Sequence, residues 1–250
     1  MIIIKSQDEI DIMRESGKVT GLILKELEHF IKPGISTMDI NCFAEQIILK
    51  HKMIPTFKGY GGFPAAACVS INEEVVHGIP SKDRILMEGD IVSVDVGSTY
   101  KGYVSDAART YGVGRISAEA RHLIQATEDS FFAGLQFCKV GCRLSDISHA
   151  VQEAAEKEGF GVIRDFVGHG VGREMHEDPQ IPNYGKPGRG PRLVAGMVLA
   201  IEPMITQGSY EVEVLSDNWT AVTADGKLSA HYENTVVITD GEPELITLLK

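Results

Sequence analysis

The chain repeats itself once, and this self-similarity restricts its possible folds more than any other feature. "FIKPGISTMDI" (30–40) resembles "FCKVGCRLSDI" (137–147): Phe30, Lys32, Gly34, Asp39 and Ile40 recur as Phe137, Lys139, Gly141, Asp146 and Ile147, each pair 107 residues apart. The same offset returns downstream, where "EGDIVSVD" (88–95) resembles "AGMVLAIE" (195–202), with Gly89 answered by Gly196 and Asp95 by Glu202. Two separated segments sharing one offset indicate a duplicated unit. Two copies are too few for a solenoid, which stacks three or more. They are expected to pair as pseudo-two-fold halves, about 1–114 and 115–250, of a single domain spanning 1–250.

Each half reads alike. Ser6 followed by Glu9 is a capping box, opening a helix that Pro33 and Gly34 stop in "HFIKPG". A second helix is expected over "TMDINCFAEQIILKHK". The other half offers "AEARHLIQATEDSFFAGLQF" and "LSDISHAVQEAAEKEG", the latter closed by Gly159. After its helices each half should have a strand ending in an acid, a turn, and a return strand carrying a second acid. These acids are Asp95 and Asp106 around the turn "GSTYKG", then Glu202 and Glu233 around a connection 20 residues longer. The fold class is therefore α/β (α+β), with helices covering a curved, mostly antiparallel sheet.

Symmetry brings the four acids together. Four inward carboxylates would carry a charge of about −4 in a partly desolvated site, where they repel one another and take up protons. Two divalent cations would cancel that charge, and a bridged pair can stabilise both the attacking and the leaving oxygen of a displacement. A histidine would complete the set, and "DFVGHGVGREMHEDP" offers two, His169 and His176. Mostly oxygen ligands with one imidazole favour manganese, iron or cobalt over a thiolate-type zinc site, with zinc itself left open. The four cysteines, Cys42, Cys68, Cys138 and Cys142, lack paired CxxC spacing and read as reduced thiols of a cytoplasmic protein.

The net charge of −11 argues against a non-specific grip on nucleic acid or anionic lipid. No run of 18 apolar residues is present to span a membrane, and "MIIIKSQDEI" is too short and too soon acidic for a signal peptide. "GYGG" and "GHGVG" lack the lysine and Ser/Thr of a nucleotide loop. His29, His51, His122 and His149 fall on helices among charged residues and read as surface positions, while His231 reads as a structural neighbour of Glu233.

Five segments in order, "VVHGIP" (75–80), "DVGSTYKGYVSDAART" (95–110), "GHGVGREMHEDP" (168–179), "AIEPM" (200–204) and "HYENTVVIT" (231–239), resemble the methionine aminopeptidases of the short bacterial type I. The resemblance spans nearly the whole chain, without the zinc-finger extension or the large second-half insertion of longer relatives. It implies the pita-bread fold and a single catalytic domain. Motif by motif it implies metal ligation by Asp95, Asp106, His169, Glu202 and Glu233, with Asp106 and Glu233 bridging two ions, Asp95 on one, and His169 and Glu202 on the other. It also implies a bridging hydroxide as the attacking group, Glu202 as proton relay, His176 as donor to the developing oxyanion, and His77 at the substrate backbone. A methionine pocket would be lined by Tyr60, Phe63, Cys68 and Trp219, with Met175 beside it.

The implied substrates are nascent polypeptides with an N-terminal methionine and a small second residue, cleaved by a cytoplasmic monomer. Relatives dock at the ribosome through a lysine-rich loop. Here "GSYEVEVLSDNWTAVTADGK" holds several acids and only Lys227, so at most a weak, salt-sensitive contact is expected. Two other functions share the scaffold. A proline-specific peptidase would carry a further N-terminal domain, and a metal-free adaptor would lack some of the ligands that are all present here.

Overall fold

The structure is a computed structural model and describes residues 1–249. Its helices are α1 (Gln7–Phe30), α2 (Thr37–Lys50), α3 (Ala118–Leu135) and α4 (Leu144–Lys157). The strands of the first part are β1 (Ile54–Pro55), β2 (Ala67–Ile71), β3 (Glu74–Val76), β4 (Ile91–Tyr100) and β5 (Tyr103–Gly112). Those after α4 are β6 (Gly161–Val162), β7 (Gly168–Gly170), β8 (Glu177–Ile181), β9 (Val198–Ile201) and β10 (Met204–Thr206). They are followed by β11 (Val212–Val214), β12 (Ala221–Thr223), β13 (Ser229–His231), β14 (Asn234–Val237) and β15 (Glu244–Leu245).

Local chemistry sets the boundaries. The Ser6 amide donates to Glu9 Oε2 at 2.8 Å and the Glu9 amide to Ser6 Oγ at 3.4 Å, so the expected capping box starts α1. Ile10, Met13, Gly17, Ile23, Leu24 and Leu27 recur on one face of that helix and are buried. At Gly17 the contact is backbone to backbone: a Cβ there would lie 2.3 Å from the Ile246 carbonyl oxygen. Gly17→Ala should therefore destabilise the protein by about 1–3 kcal/mol through overpacking. Chemical denaturation of wild type and variant checks this, and unchanged stability would mean that the C-terminal segment yields freely.

The repeat is visible in hydrogen bonds. Gly34 N donates to Leu86 O and Leu86 N to Ile35 O, and the same pattern links Gly141, Leu193 and Cys142, all at 2.8–3.1 Å and 107 residues on. The isolated bridges Ser36–Ile85 and Arg143–Arg192 keep that offset. So do both ends of α2 and α4, and the starts of β4 and β9. One apolar cluster draws its buried members only from between Val19 and Val113, and a second draws its own only from between Phe131 and Ile238, with Ile2 and Leu245 packed against it.

The strand reading of the first half needs one correction. Asp95 does not end its strand. β4 runs on to Tyr100, and the turn is the two residues Lys101 and Gly102, both with positive φ. A two-residue turn of that conformation matches the twist of paired strands, so "GST" stays in the ladder. The second half needs another: β9 stops at Ile201, so Glu202 falls in the break before β10, and Glu233 falls in the break between β13 and β14 rather than on a return strand.

Antiparallel pairing carries the acids. β4 pairs along its length with β5 on one side and with β2 and β1 on the other. β14 and β7 flank β9 in a five-stranded sheet, order β15-β14-β9-β7-β8. The two sheets meet where β5 passes β14. Asp106 N donates to Thr235 Oγ1 at 2.9 Å and Thr235 Oγ1 donates to Asp106 O at 2.8 Å. Glu233 N donates to Ala108 O at 2.9 Å, and the Arg109 guanidinium donates to Glu233 O and Asn234 Oδ1. The acids themselves thus sit in the seam. A third sheet, β11-β12-β3, brings Trp219 back over the first half.

Candidate metal centre and adjoining pocket

Strand register dictates which carboxylates meet. Asp95 lies opposite Ala108, two residues from Asp106, so the two side chains stand diagonally on one face of the β4–β5 ladder. His169 lies opposite Ala200, two residues from Glu202, which gives the same diagonal in the other sheet. Ligand atoms of Asp106, His169 and Glu233 all lie within 4.8 Å of one another. His169 Nε2 is 3.7 Å from Asp106 Oδ2 and 3.5 Å from Glu202 Oε1. Its Nδ1 donates to the Gly170 carbonyl at 2.9 Å, which leaves Nε2 as an acceptor facing the acids, the orientation a metal-binding imidazole needs.

Electrostatics make this cluster unstable alone. Burial pushes the carboxyls of Asp95, Glu202 and Glu233 well above the usual carboxylate range, and the charge of Asp106 raises each further. Burial raises Asp106 itself to about 7. Burial lowers His169 to about 4, so its imidazole is neutral. Asp95 Oδ1, Asp106 Oδ1 and Glu233 Oε1 are buried with no hydrogen-bond partner. Buried acceptors left unpaired are costly, and three of them in one cavity with a neutral imidazole fit divalent cations, whose charge replaces the protons that the acids would otherwise take up.

An apolar cavity of about 140 Å³ adjoins the acids. Its lining includes Tyr60, Phe63, Cys68 and Trp219 together with Asp95, Asp106, His169, Glu202 and Glu233. Phe63 and Trp219 meet edge-on with ring centroids 5.1 Å apart, and Cys68 is the β2 partner of Asp95, its thiol pushed well up by burial. His77 and His176 belong to the same lining. His77 has a φ of 61°, a conformation uncommon outside glycine that holds a side chain under constraint. Its ring is wedged between Phe166 and Trp219, at 5.5 and 6.2 Å between centroids, and burial lowers it to about 4. His176 lies with its ring centroid 4.4 Å from that of His169, and its Nδ1 shares a 2.7 Å hydrogen bond with the Tyr60 hydroxyl. All the residues singled out by sequence therefore line one cavity.

Two residues gain weight that sequence reasoning did not give them. Phe57 lines the cavity alongside the expected Met175; the aromatic just before "KGYGGF" was the available signal for Phe57. His231 is buried, its Nε2 unpartnered and 3.8 Å from Glu202 Oε2 and 3.9 Å from Glu233 Oε2. Burial lowers it to about 3, so a neutral ring stands against the two glutamates. Of the histidines assigned to the surface, His29, His51 and His122 are exposed, whereas His149 is half-buried, with Nδ1 donating to Gly185 O at 3.2 Å. All four cysteines are free thiols. Among the described residues no helix is long and apolar enough to cross a membrane.

Comparison with known proteins gives a consistent result. The profile described as metallopeptidase family M24 matches residues 11–240. A protein of Clostridium acetobutylicum named methionine aminopeptidase is 59% identical over 248 residues, 99% of each chain. One of Clostridium perfringens with the same name is 56% identical over 250 residues and the full length of both. The crystal structure of methionine aminopeptidase from Thermotoga maritima superposes with a TM-score of 0.98 at 49% identity, covering 100% of both chains.

Proposed function

The chain belongs to metallopeptidase family M24, and within it to the methionine aminopeptidases, and from that premise we propose how its own residues carry out the reaction. It is a metal-dependent aminopeptidase that removes N-terminal methionine, built on the pita-bread fold. We read the cofactor as two divalent ions drawn from manganese, iron, cobalt or zinc. Asp95, Asp106, His169, Glu202 and Glu233 would hold them. Such ions lower the pKa of water towards neutrality and polarise a carbonyl.

The remaining steps belong to side chains. The aromatic and thioether walls take the methionine side chain, whose sulfur packs well on aromatic edges, with Tyr60, Phe63, Cys68 and Trp219 as the principal contacts. His77, in the lining of the cavity, contacts the substrate backbone. Tyr60 donates to His176 Nδ1, so the proton on Nε2 is free to be donated to the carbonyl oxygen as it gains charge. Glu202 accepts the proton given up by the attacking water and delivers it to the departing amine. A small second substrate residue completes the preference. The whole chain, 1–250, acts as one catalytic domain, a cytoplasmic monomer working on nascent chains with at most a weak ribosome contact.

The observation that carries the ligand assignment is the cluster of Asp106, His169 and Glu233, together with the partnerless oxygens of Asp95, Asp106 and Glu233 in the same cavity. Protein stripped with a chelator should release no methionine from a Met-Ala-Ser peptide. Manganese should restore activity as about two equivalents bind, matching the charge of four acids. Activity that survives complete chelation would refute this centre.

A further inference from the structure

The segment before α1 is not a free tail. Lys5 N donates to Gly196 O at 2.8 Å, and its ammonium donates to Glu177 Oε2 at 2.6 Å and to the Ile3 carbonyl at 3.2 Å. Both side chains of the ion pair are buried, 3% exposed for Lys5 and 4% for Glu177. The other oxygen of Glu177 accepts from Arg173 N at 2.8 Å and Glu174 N at 3.3 Å, so one carboxylate closes the 173–177 turn from inside. Gly172 belongs to the same arrangement, since a Cβ there would lie 2.5 Å from Glu177 Oε1 and 2.6 Å from Lys5 Cε. Its carbonyl accepts from Val104 N at 2.8 Å, two residues before Asp106. This turn carries Met175 and His176, and His176 is next in the chain to Glu177.

A buried ion pair is a weak source of stability, because desolvation offsets most of the attraction, and apolar residues of similar size pack as well. What an apolar pair cannot do is fix the direction of a carboxylate that also holds two backbone amides. We propose that Lys5 is a positioning residue for methionine release: its ammonium fixes the Glu177 carboxylate, the carboxylate sets the 173–177 turn, and the turn holds the His176 ring against the metal centre. Lys5 touches neither substrate nor metal ligands, and the inference rests on the reading of His176 as the donor.

A double-mutant cycle on metal-loaded protein with Met-Ala-Ser tests it. Lys5→Met should lower kcat about tenfold or more with KM and metal content nearly unchanged, the signature of an interaction expressed in the transition state. Lys5→Arg should restore most of the loss. In a His176→Ala background Lys5→Met should cost little further, because residues acting through one group are non-additive. If Lys5→Met does not fold, Glu177→Gln, which keeps an acceptor for the two amides, is read the same way. Equal losses from Lys5→Met in both backgrounds, or an unchanged kcat in every folded variant, would overturn the role of Lys5. A His176→Ala protein of full activity would instead overturn the role of His176.

Discussion

Glu202→Ala should abolish methionine release, by three orders of magnitude or more, while the metal-free protein melts no lower than wild type. The loss combines two functions. A positioned acid–base group contributes roughly 10²–10⁴ in rate, and one metal ligand disappears with it. The stability half of the prediction is less intuitive and follows from burial. Without metal, Glu202 is a desolvated carboxyl whose pKa is raised first by burial and then by the Asp106 charge. Deleting such a group removes a cost that nothing in the metal-free protein offsets. The difference appears on adding manganese, which raises the melting temperature of any fold that binds it. Wild type should gain markedly and the variant little. Thermal melts in chelator and in manganese, beside a methionine-release assay, measure all three quantities, and a variant already unfolded in chelator would give Glu202 a structural role instead.

His176→Ala should behave differently. Turnover should fall about 10²–10³-fold, or roughly 3–4 kcal/mol of transition-state stabilisation, the cost of losing one aimed donor. Metal content should be unchanged. The two histidines of this segment are separated by what surrounds them. His169 is buried, held by its Nδ1 bond to Gly170, and turns Nε2 to the acids. His176 spends its Nδ1 on Tyr60 at the mouth of the cavity. Metal analysis of the purified variant decides the matter: a stripped protein would mean that the roles of His169 and His176 are exchanged.

Much of this was readable in the chain because duplication and strand alternation are encoded locally. The 107-residue echo located the halves, and the diagonal placing of Asp95 with Asp106 needs only period-two geometry. What escaped depended on long-range closure. Asp95 was expected at a strand end because "GSTYKG" is rich in turn residues, yet pairing with β5 and β1 keeps Gly97 to Thr99 in the ladder and confines the turn to two residues. Phe57 reaches the cavity through a loop whose path no periodicity announces. Lys5 and Glu177 are 172 residues apart, and nothing in "IIKSQ" marks its lysine as buried.

The reciprocal bonds between Asp106 and Thr235, and between Glu233 and Ala108, have an implication for how peptides are chosen. Because Asp106 stands on β5 and Glu233 directly precedes β14, the two strands that join the halves, the cleft cannot open and shut like a pair of jaws without dismantling its own floor. Selectivity must then come from exclusion at a rigid doorway, and a side chain too bulky for that doorway is turned away before any bond is strained.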